Sequence, residues 1–390
     1  MLRTNGASFS SGTTASPVHA SNNVWEIAGE AVVPLLKDAP LVRSMDLNLA
    51  GRYTDYSTSG PVQTWKIGLD YNVVESFRFR GTASLDIRAP TLNDLFQPAQ
   101  VGVIGFSDLH TAINSTTFNI TQGNANLTPE ISRTYTLGAV WTPDFLPGLT
   151  ASLDYVRIHM KNAINQIQAN SLNVQSLCES SGGSSPFCQL YQRPFAFSDT
   201  SPANYPSRIF TLNLNTASVQ TEGFDFETNY GFAMSDLVEG WAGAWTVRAL
   251  ATYQPVLQSV AFPGAPVVRV SGIGASNGPK TRFTGFLTYT QGDWSLGLQD
   301  RWLSGFSQVT QAGQVWLNPH VRSFNVVDLN IERKFAVDGG EFSAYLVVQN
   351  LIGAEPDLVP SMTNIGLNYP VAPGQDTIGR YFTIGLRANL

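Results

Sequence analysis

MDLNLAGRYT, residues 45–54, sets Asp46, Asn48, Arg52 and Thr54 on one side of an extended chain and Met45, Leu47, Leu49 and Tyr53 on the other. Successive side chains of a β-strand point to opposite faces, so a two-residue period gives one apolar and one polar face. The same period runs through QTWKIGLDYNV (63–73), where Trp65, Ile67, Leu69, Tyr71 and Val73 oppose Thr64, Lys66, Asp70 and Asn72. SFRFRGTASLD (76–86) repeats it, with Phe77, Phe79, Ala83 and Leu85 against Arg78, Arg80, Thr82, Ser84 and Asp86. Many runs of about ten residues with aromatics near their ends suit a sheet with lipid on one side and a wet lumen on the other. The expectation is an all-β, antiparallel, meandering transmembrane β-barrel in the outer membrane.

Composition points the same way. Of 390 residues, 34 are Gly and 22 are Pro, and only 13% are charged, which argues against a helical enzyme. The apolar fraction of 43% is ordinary, because only every second barrel residue meets lipid. No run of about 18 apolar residues occurs, so no membrane-spanning helix is expected. A net charge of −6 without a basic run argues against a nucleic-acid partner. The first twenty residues lack an apolar h-region and do not read as a signal peptide. For an exported protein this leads us to expect a mature piece, or a true start upstream of Met1. His19, His110, His159 and His320 are scattered without ligand spacing. No Ser/His/Asp set, phosphate cradle or paired-carboxylate signature is found, so neither an enzyme nor a cofactor is expected.

Thirteen strand-like segments can be counted, at 24–35, 44–56, 62–73, 76–87, 131–141, 149–158, 218–230, 244–253, 281–290, 294–302, 324–335, 341–349 and 377–388. Their connections alternate in length. Those at 36–43, 74–75, 142–148, 291–293 and 336–340 are short, and 231–243 is intermediate. Those at 88–130, 159–217, 254–280, 303–323 and 350–376 are long, the link at 57–61 being the short exception. Outer-membrane barrels have short periplasmic turns and long extracellular loops, so the long set is expected outside. An odd count conflicts with the even strand numbers of bacterial barrels. Either LRTNGASFS (2–10) adds a fourteenth strand or the chain is part of a larger barrel.

Cys178 and Cys188 bracket a Gly-, Ser- and Pro-rich stretch with nine residues between them. They read as a local disulfide in an oxidising compartment, against free thiols or half a metal site. Inward-facing Arg52, Lys66, Arg78, Arg80 and Arg88 share adjacent strands with Glu26, Glu30, Asp46, Asp70 and Asp86. Such a wall could guide an anionic ligand, or it could be ordinary lumen polarity with its mixed signs mutually paired. Outward Trp25, Tyr53, Trp65, Trp141, Trp245 and Trp302 lie near strand ends, where an interfacial girdle is the plainer reading than a sugar-stacking platform.

The segment FRFRGTASLDIRAPTLNDLF (77–96) resembles a hallmark of TonB-dependent outer-membrane receptors, a strand rising into Arg88-Ala89-Pro90 followed by Leu92, Leu95 and Phe96. Pro90 lacks a backbone donor and must end the ladder there. NANLTPE (124–130) is similar to the family's entry into the next strand, with Asn124, Asn126, Leu127, Pro129 and Glu130. TEGFDFETNY (221–230), with Gly223, Asp225 and Glu227, is similar to a later strand of the family, and VVQNLIG (347–353) to its last extracellular turn, with Ile352 where Phe is usual. IGRYFTIGLRANL (378–390) resembles its final strand, with Gly379, Arg380, Tyr381 and Phe382. Leu390 stands where the family usually ends in Phe or Trp. The match is most like the large proteobacterial receptors.

The resemblance implies a 22-stranded barrel, of which about thirteen strands are here, with nine strands and a plug domain upstream of Met1. Residues 1–390 would then be one partial barrel domain without plug, TonB box or signal peptide. It also implies import of a small molecule or oligosaccharide, such as a siderophore or cobalamin, energised by the TonB complex acting through a plug. Outer-membrane lipid would be the other partner. The ligand-binding residues are not readable. The competing readings are a passive porin-like or autotransporter-type barrel, and a soluble β-rich binding protein.

Overall fold

Alternating apolar and polar residues, rich in the β-branched and aromatic types that fit a pleated surface, form strands along most of the chain. The computed structural model describes residues 18–274, 278–309, 315, 318–337, 340–359, 371–372 and 374–389. The LRTNGASFS segment and Leu390 lie outside them. In chain order the strands are β1 (Val24–Ala39), β2 (Val42–Tyr56), β3 (Gly60–Val74), β4 (Phe77–Arg88), β5 (Gln100–Ser107), β6 (Asn114–Gln122), β7 (Glu130–Trp141), β8 (Leu149–Gln168), β9 (Tyr191–Gln192) and β10 (Arg208–Ala233). They continue with β11 (Ala244–Val260), β12 (Val268–Arg269), β13 (Thr281–Gln291), β14 (Trp294–Leu303), β15 (Phe306–Ser307), β16 (His320–Val321), β17 (Phe324–Val337), β18 (Gly340–Gln349) and β19 (Tyr381–Asn389). Two short helices interrupt them, α1 (Leu92–Phe96) and α2 (Leu172–Ser180).

Thirteen of these strands form an antiparallel wall in which each pairs with the next, β1-β2-β3-β4-β7-β8-β10-β11-β13-β14-β17-β18-β19. They are the thirteen segments read from the sequence. The final strand begins at Tyr381, so Ile378 and Gly379 precede it. A tight turn joins β1 to β2, with Asp38 and Leu41 at positive φ. Pro34 sits in β1 at a register shift against β2 and at the sheet edge, where a missing donor is tolerated. Gly148 enters β8 with φ +87°, and any Cβ there would overlap the Gly231 carbonyl.

Two expectations need correction. The connections at 88–130 and 159–217 are not plain loops, because β5, β6, α1 and α2 lie in them and β8 and β10 extend into the second. Nor is every pairing antiparallel. β6, which is not one of the thirteen wall segments, runs parallel to β10 over Arg208–Leu212.

At about 3.3 Å per residue, the 26-residue β10 is far longer than the roughly 9–11 residues that cross a bilayer. Its upper part and that of β8 carry a folded module. There lies the main apolar core: Phe106, Ile167, Val174, Cys178, Leu190 and Ile209 are all buried. The wall itself is one layer thick. Among the described residues, no helix is long and apolar enough to cross a membrane.

Among the described residues, β1 and β19 each have one wall neighbour and do not meet, so the wall is open. Unpaired backbone groups cost several kcal/mol each in hydrocarbon. Refolded alone in detergent, the 390-residue chain is therefore expected to migrate identically on SDS gels with and without boiling. A faster unboiled band, the sign of a sealed barrel, would show that the edges close.

Candidate functional site

Inward side chains of the wall meet on its concave face. Arg52 approaches Glu26 across the β1–β2 ladder at 3.7 Å. Arg78 approaches Asp70 at 3.6 Å, and the Asn72 amide donates to Asp70 at 3.1 Å. Arg80 reaches across β7 to Asp154 of β8 with two bonds of 2.8 and 2.6 Å. It can do so because Gly138 lies beneath the pair, and a Cβ at Gly138 would overlap the Asp154 carboxylate. Asp86 accepts from Ser84 at 2.7 Å and Thr134 at 3.3 Å. The pattern continues with Arg248–Glu227 at 2.8 Å and Arg301–Asp328 at 3.0 Å, two pairs not singled out from the sequence.

Most of these groups are about half exposed, so each pair contributes only about 0–1 kcal/mol. Their effect is local neutrality, since each of these five arginines faces a carboxylate. Among the described residues Lys66 and Asp46 make no side-chain hydrogen bond or ion pair, and Asp46 faces Asp70 in register. Lys66 and Glu30 line two adjoining shallow cavities of about 340 and 510 Å³. The larger is also lined by Asp70, Arg80, Thr82 and Asp154.

The Arg-Ala-Pro element forms a joint at one end of the wall. β4 ends at Arg88, whose guanidinium holds Glu130 of β7 at 2.5 and 2.7 Å. Glu130, with its side chain 4% exposed, also accepts the Ile164 amide of β8 at 2.7 Å. One carboxylate thus ties three adjacent strands. Thr91 and Asp94 cap α1 reciprocally, and Leu95 is buried beneath it. Asn213 of β10 donates to Asp94 at 3.1 Å and accepts from Asn124 at 2.9 Å. Leu127 is buried, and the Asn126 amide donates to Asn124 at 3.0 Å. Arg88, Leu95, Asn124 and Glu130 therefore act together; Ala89, Leu92 and Phe96 complete the turn without a polar contact. At the other end of the chain, Arg380 packs over the Gly353 turn, while Tyr381 and Phe382 of β19 are exposed.

The module above this joint is held by buried polar contacts as well as by its core. Cys178 in α2 is disulfide-bonded to Cys188. Arg193 binds Asp108 at 2.7 and 2.8 Å, and their side chains are 8% and 0% exposed. Burial alone would raise the Asp108 pKa, but the Arg193 and Thr111 hydrogen bonds outweigh it and hold the carboxyl below the usual range. Fully buried Asn204 receives the Phe195 amide and donates to the Ala196 and Asp199 carbonyls. His110 lies between the Glu179 carboxylate at 2.9 Å and the Asp199 carbonyl at 3.1 Å.

Sequence reading missed this module, although a signal was present. VGVIGF (101–106), TFNIT (117–121) and RIFTLNLNT (208–216) keep the two-residue period. They lie between the wall segments, within the long connections that the length pattern assigns to extracellular loops. Among the described residues no group of acidic, His or Cys side chains could hold a metal.

Comparison with known proteins adds three findings. A family model described as TonB dependent receptor-like, beta-barrel matches residues 4–351. No curated protein matches the chain. Among solved structures, the ferric enterobactin receptor of Pseudomonas aeruginosa aligns with a TM-score of 0.64 at 15% identity, covering 99% of this chain and 48% of that one. The siderophore receptor PirA of Acinetobacter baumannii gives 0.59 at 16% identity, covering 99% and 49%. The ferripyoverdine receptor of the Pseudomonas aeruginosa outer membrane gives 0.52 at 15% identity, covering 94% and 38%. At these identities the likeness concerns the fold, and the chain spans about half or less of each of these structures.

Two measurements check the geometry. Gly138→Ala should displace the Arg80–Asp154 pair and cost about 1–3 kcal/mol, as overpacking does; unchanged denaturant stability would contradict it. Asp108→Asn leaves a buried Arg193 unpaired and should cost about 3 kcal/mol, local to the module. Because the Asp108 pKa is depressed on folding, its contribution is full above the ordinary value of 3.8 and is lost as pH falls below it. Hydrogen exchange of residues 97–129 and 163–217 should therefore accelerate on acidification below that value in the wild type but not in the Asn variant.

Proposed function

The chain belongs to the TonB-dependent receptor-like β-barrel family, and from that premise we propose that it supplies wall and ligand-capturing module to an outer-membrane importer. The family is one of Gram-negative outer-membrane transporters and receptors rather than enzymes. One observation carries the reading for this chain. A wall with one largely apolar face and one charge-paired face continues, through β8 and β10, into a disulfide-closed folded module. Locally neutral lumen walls let a charged cargo pass without trapping it, and a rigid module can hold a ligand before passage.

The cargo proposed is a scarce chelate of the siderophore class, which is what the aligned receptors are named for. Energy would come from TonB. Lys66, which lines both wall cavities and has no side-chain hydrogen bond or ion pair among the described residues, is the proposed contact for an anionic cargo as it passes.

Uptake of a labelled ferric siderophore by cells carrying the full-length protein is expected to saturate and to stop when TonB is deleted. Lys66→Gln should lower the uptake rate several-fold and leave surface binding unchanged. Uptake that persists without TonB, or free diffusion of small sugars into liposomes bearing the protein, would favour a passive pore instead.

A further inference from the structure

Four basic side chains gather on the convex face, away from the lumen. Arg133 of β7 stands directly opposite His159 of β8, with Arg157 opposite Tyr135 and Lys161 opposite Ile131. Directly opposed residues of antiparallel strands have Cβ atoms about 5 Å apart, so the four form one patch. Their outward direction follows from parity. Arg133 shares its face with Tyr135 and Leu137, which are 49% and 62% exposed, whereas the inward Gly138 lies under Arg80 and Asp154.

Among the described residues only one carboxylate answers them, and it is occupied. Glu222 lies 3.2 Å from Arg157 while accepting from Tyr155 at 3.0 Å and Gln220 at 2.7 Å. Among the described residues Arg133, His159 and Lys161 make no side-chain hydrogen bond or ion pair.

The height of the patch is set by the strands. Trp141, Leu149 and Tyr230 lie at the short-turn end of β7, β8 and β10; Arg133, Arg157 and Glu222 each lie eight residues further up the same strands. A crossing takes about 9–11 residues, which puts the patch where hydrocarbon gives way to headgroups. Tyr135 and the Tyr155–Phe224 pair, with ring centroids 5.2 Å apart, mark the aromatic belt just below.

We propose that Arg133, Arg157, His159 and Lys161 form a docking site for the phosphate groups of an anionic outer-leaflet lipid. A guanidinium matches phosphate oxygens with two parallel N–H bonds, and a flexible lysine supplies a second charge. Tyr135, Ile131 and Leu137 offer the apolar surface on which acyl chains would lie. The site rests on the outer-membrane reading above. It concerns the lipid that surrounds the wall rather than the cargo that crosses it.

The test uses the full-length protein purified from its membrane, delipidated in detergent, with three probes. These are lipid A carrying both phosphates, the same lipid after phosphatase treatment, and inorganic phosphate. Native mass spectrometry is expected to show the phosphorylated lipid retained about tenfold better than the dephosphorylated one, and not displaced by equimolar inorganic phosphate. Arg133→Gln with Lys161→Gln should weaken retention at least about fivefold, while Arg133→Lys with Lys161→Arg keeps it. Equal retention of the two lipids by the wild type would overturn the site without reference to any variant. So would displacement by inorganic phosphate. Flotation with phosphatidylcholine vesicles separates the two readings: flotation without phosphate preference fells this site alone, whereas no flotation and no lipid uptake fells the membrane reading and the site together.

Discussion

Hydrocarbon offers no partner to a backbone amide or carbonyl, and that constraint shapes everything below the rim of this molecule. A chain that crosses lipid as strands must pair every strand with a neighbour, so the order of strands in the wall follows the order in the sequence. The same constraint allows short turns at one end and places irregular backbone at the other. Side chains are then free to serve two solvents, because the hydrogen bonds lie in the plane of the sheet and leave both faces available. The polar face pairs its charges locally, as in Arg80–Asp154 and Arg88–Glu130.

The wall was legible because its code is local. Met45, Leu47 and Leu49 against Asp46 and Asn48 read as a strand without knowing what pairs with what, and the short connections gave the neighbours. The module was not legible for the opposite reason. Ile209 and Phe106 are buried by residues about a hundred positions away in sequence, and nothing near RIFTLNLNT says that β6 will lie parallel beside it. The charged residues fall between these cases. Their inward direction follows from parity, but that Arg80 would pass over β7 to Asp154 depends on Gly138, a residue with no side chain to draw notice. The basic patch escaped notice because Arg133 and Lys161 sit on the face expected to be apolar.

Glu130 shows how a sequence motif becomes a mechanical part. Proline at position 90 stops β4, so the chain leaves the sheet and the Arg88 guanidinium at the strand end is free to turn onto Glu130. That carboxylate, buried by the joint it creates, then fixes the start of β7 and the Ile164 amide of β8. The α1 turn and Asn213 complete the seam. Wall and module are therefore joined by polar contacts at the one level where strands diverge.

The two bulges where β8 and β10 leave the wall act as a matched pair. β10 carries an extra residue near Thr216 and β8 one near Asn162, whose φ is +54°. Each would by itself turn the strand's faces inside out; together they cancel, so Thr211 opposite Gln168 keeps the offset that Tyr230 has opposite Leu149. An inheritance rule follows. A lineage can lengthen or shorten this module at its tips, but a single-residue change in either strand must be answered by one in the other. Exchange of the module between relatives would thus carry both strands as one cassette, cut below the bulges rather than at the rim.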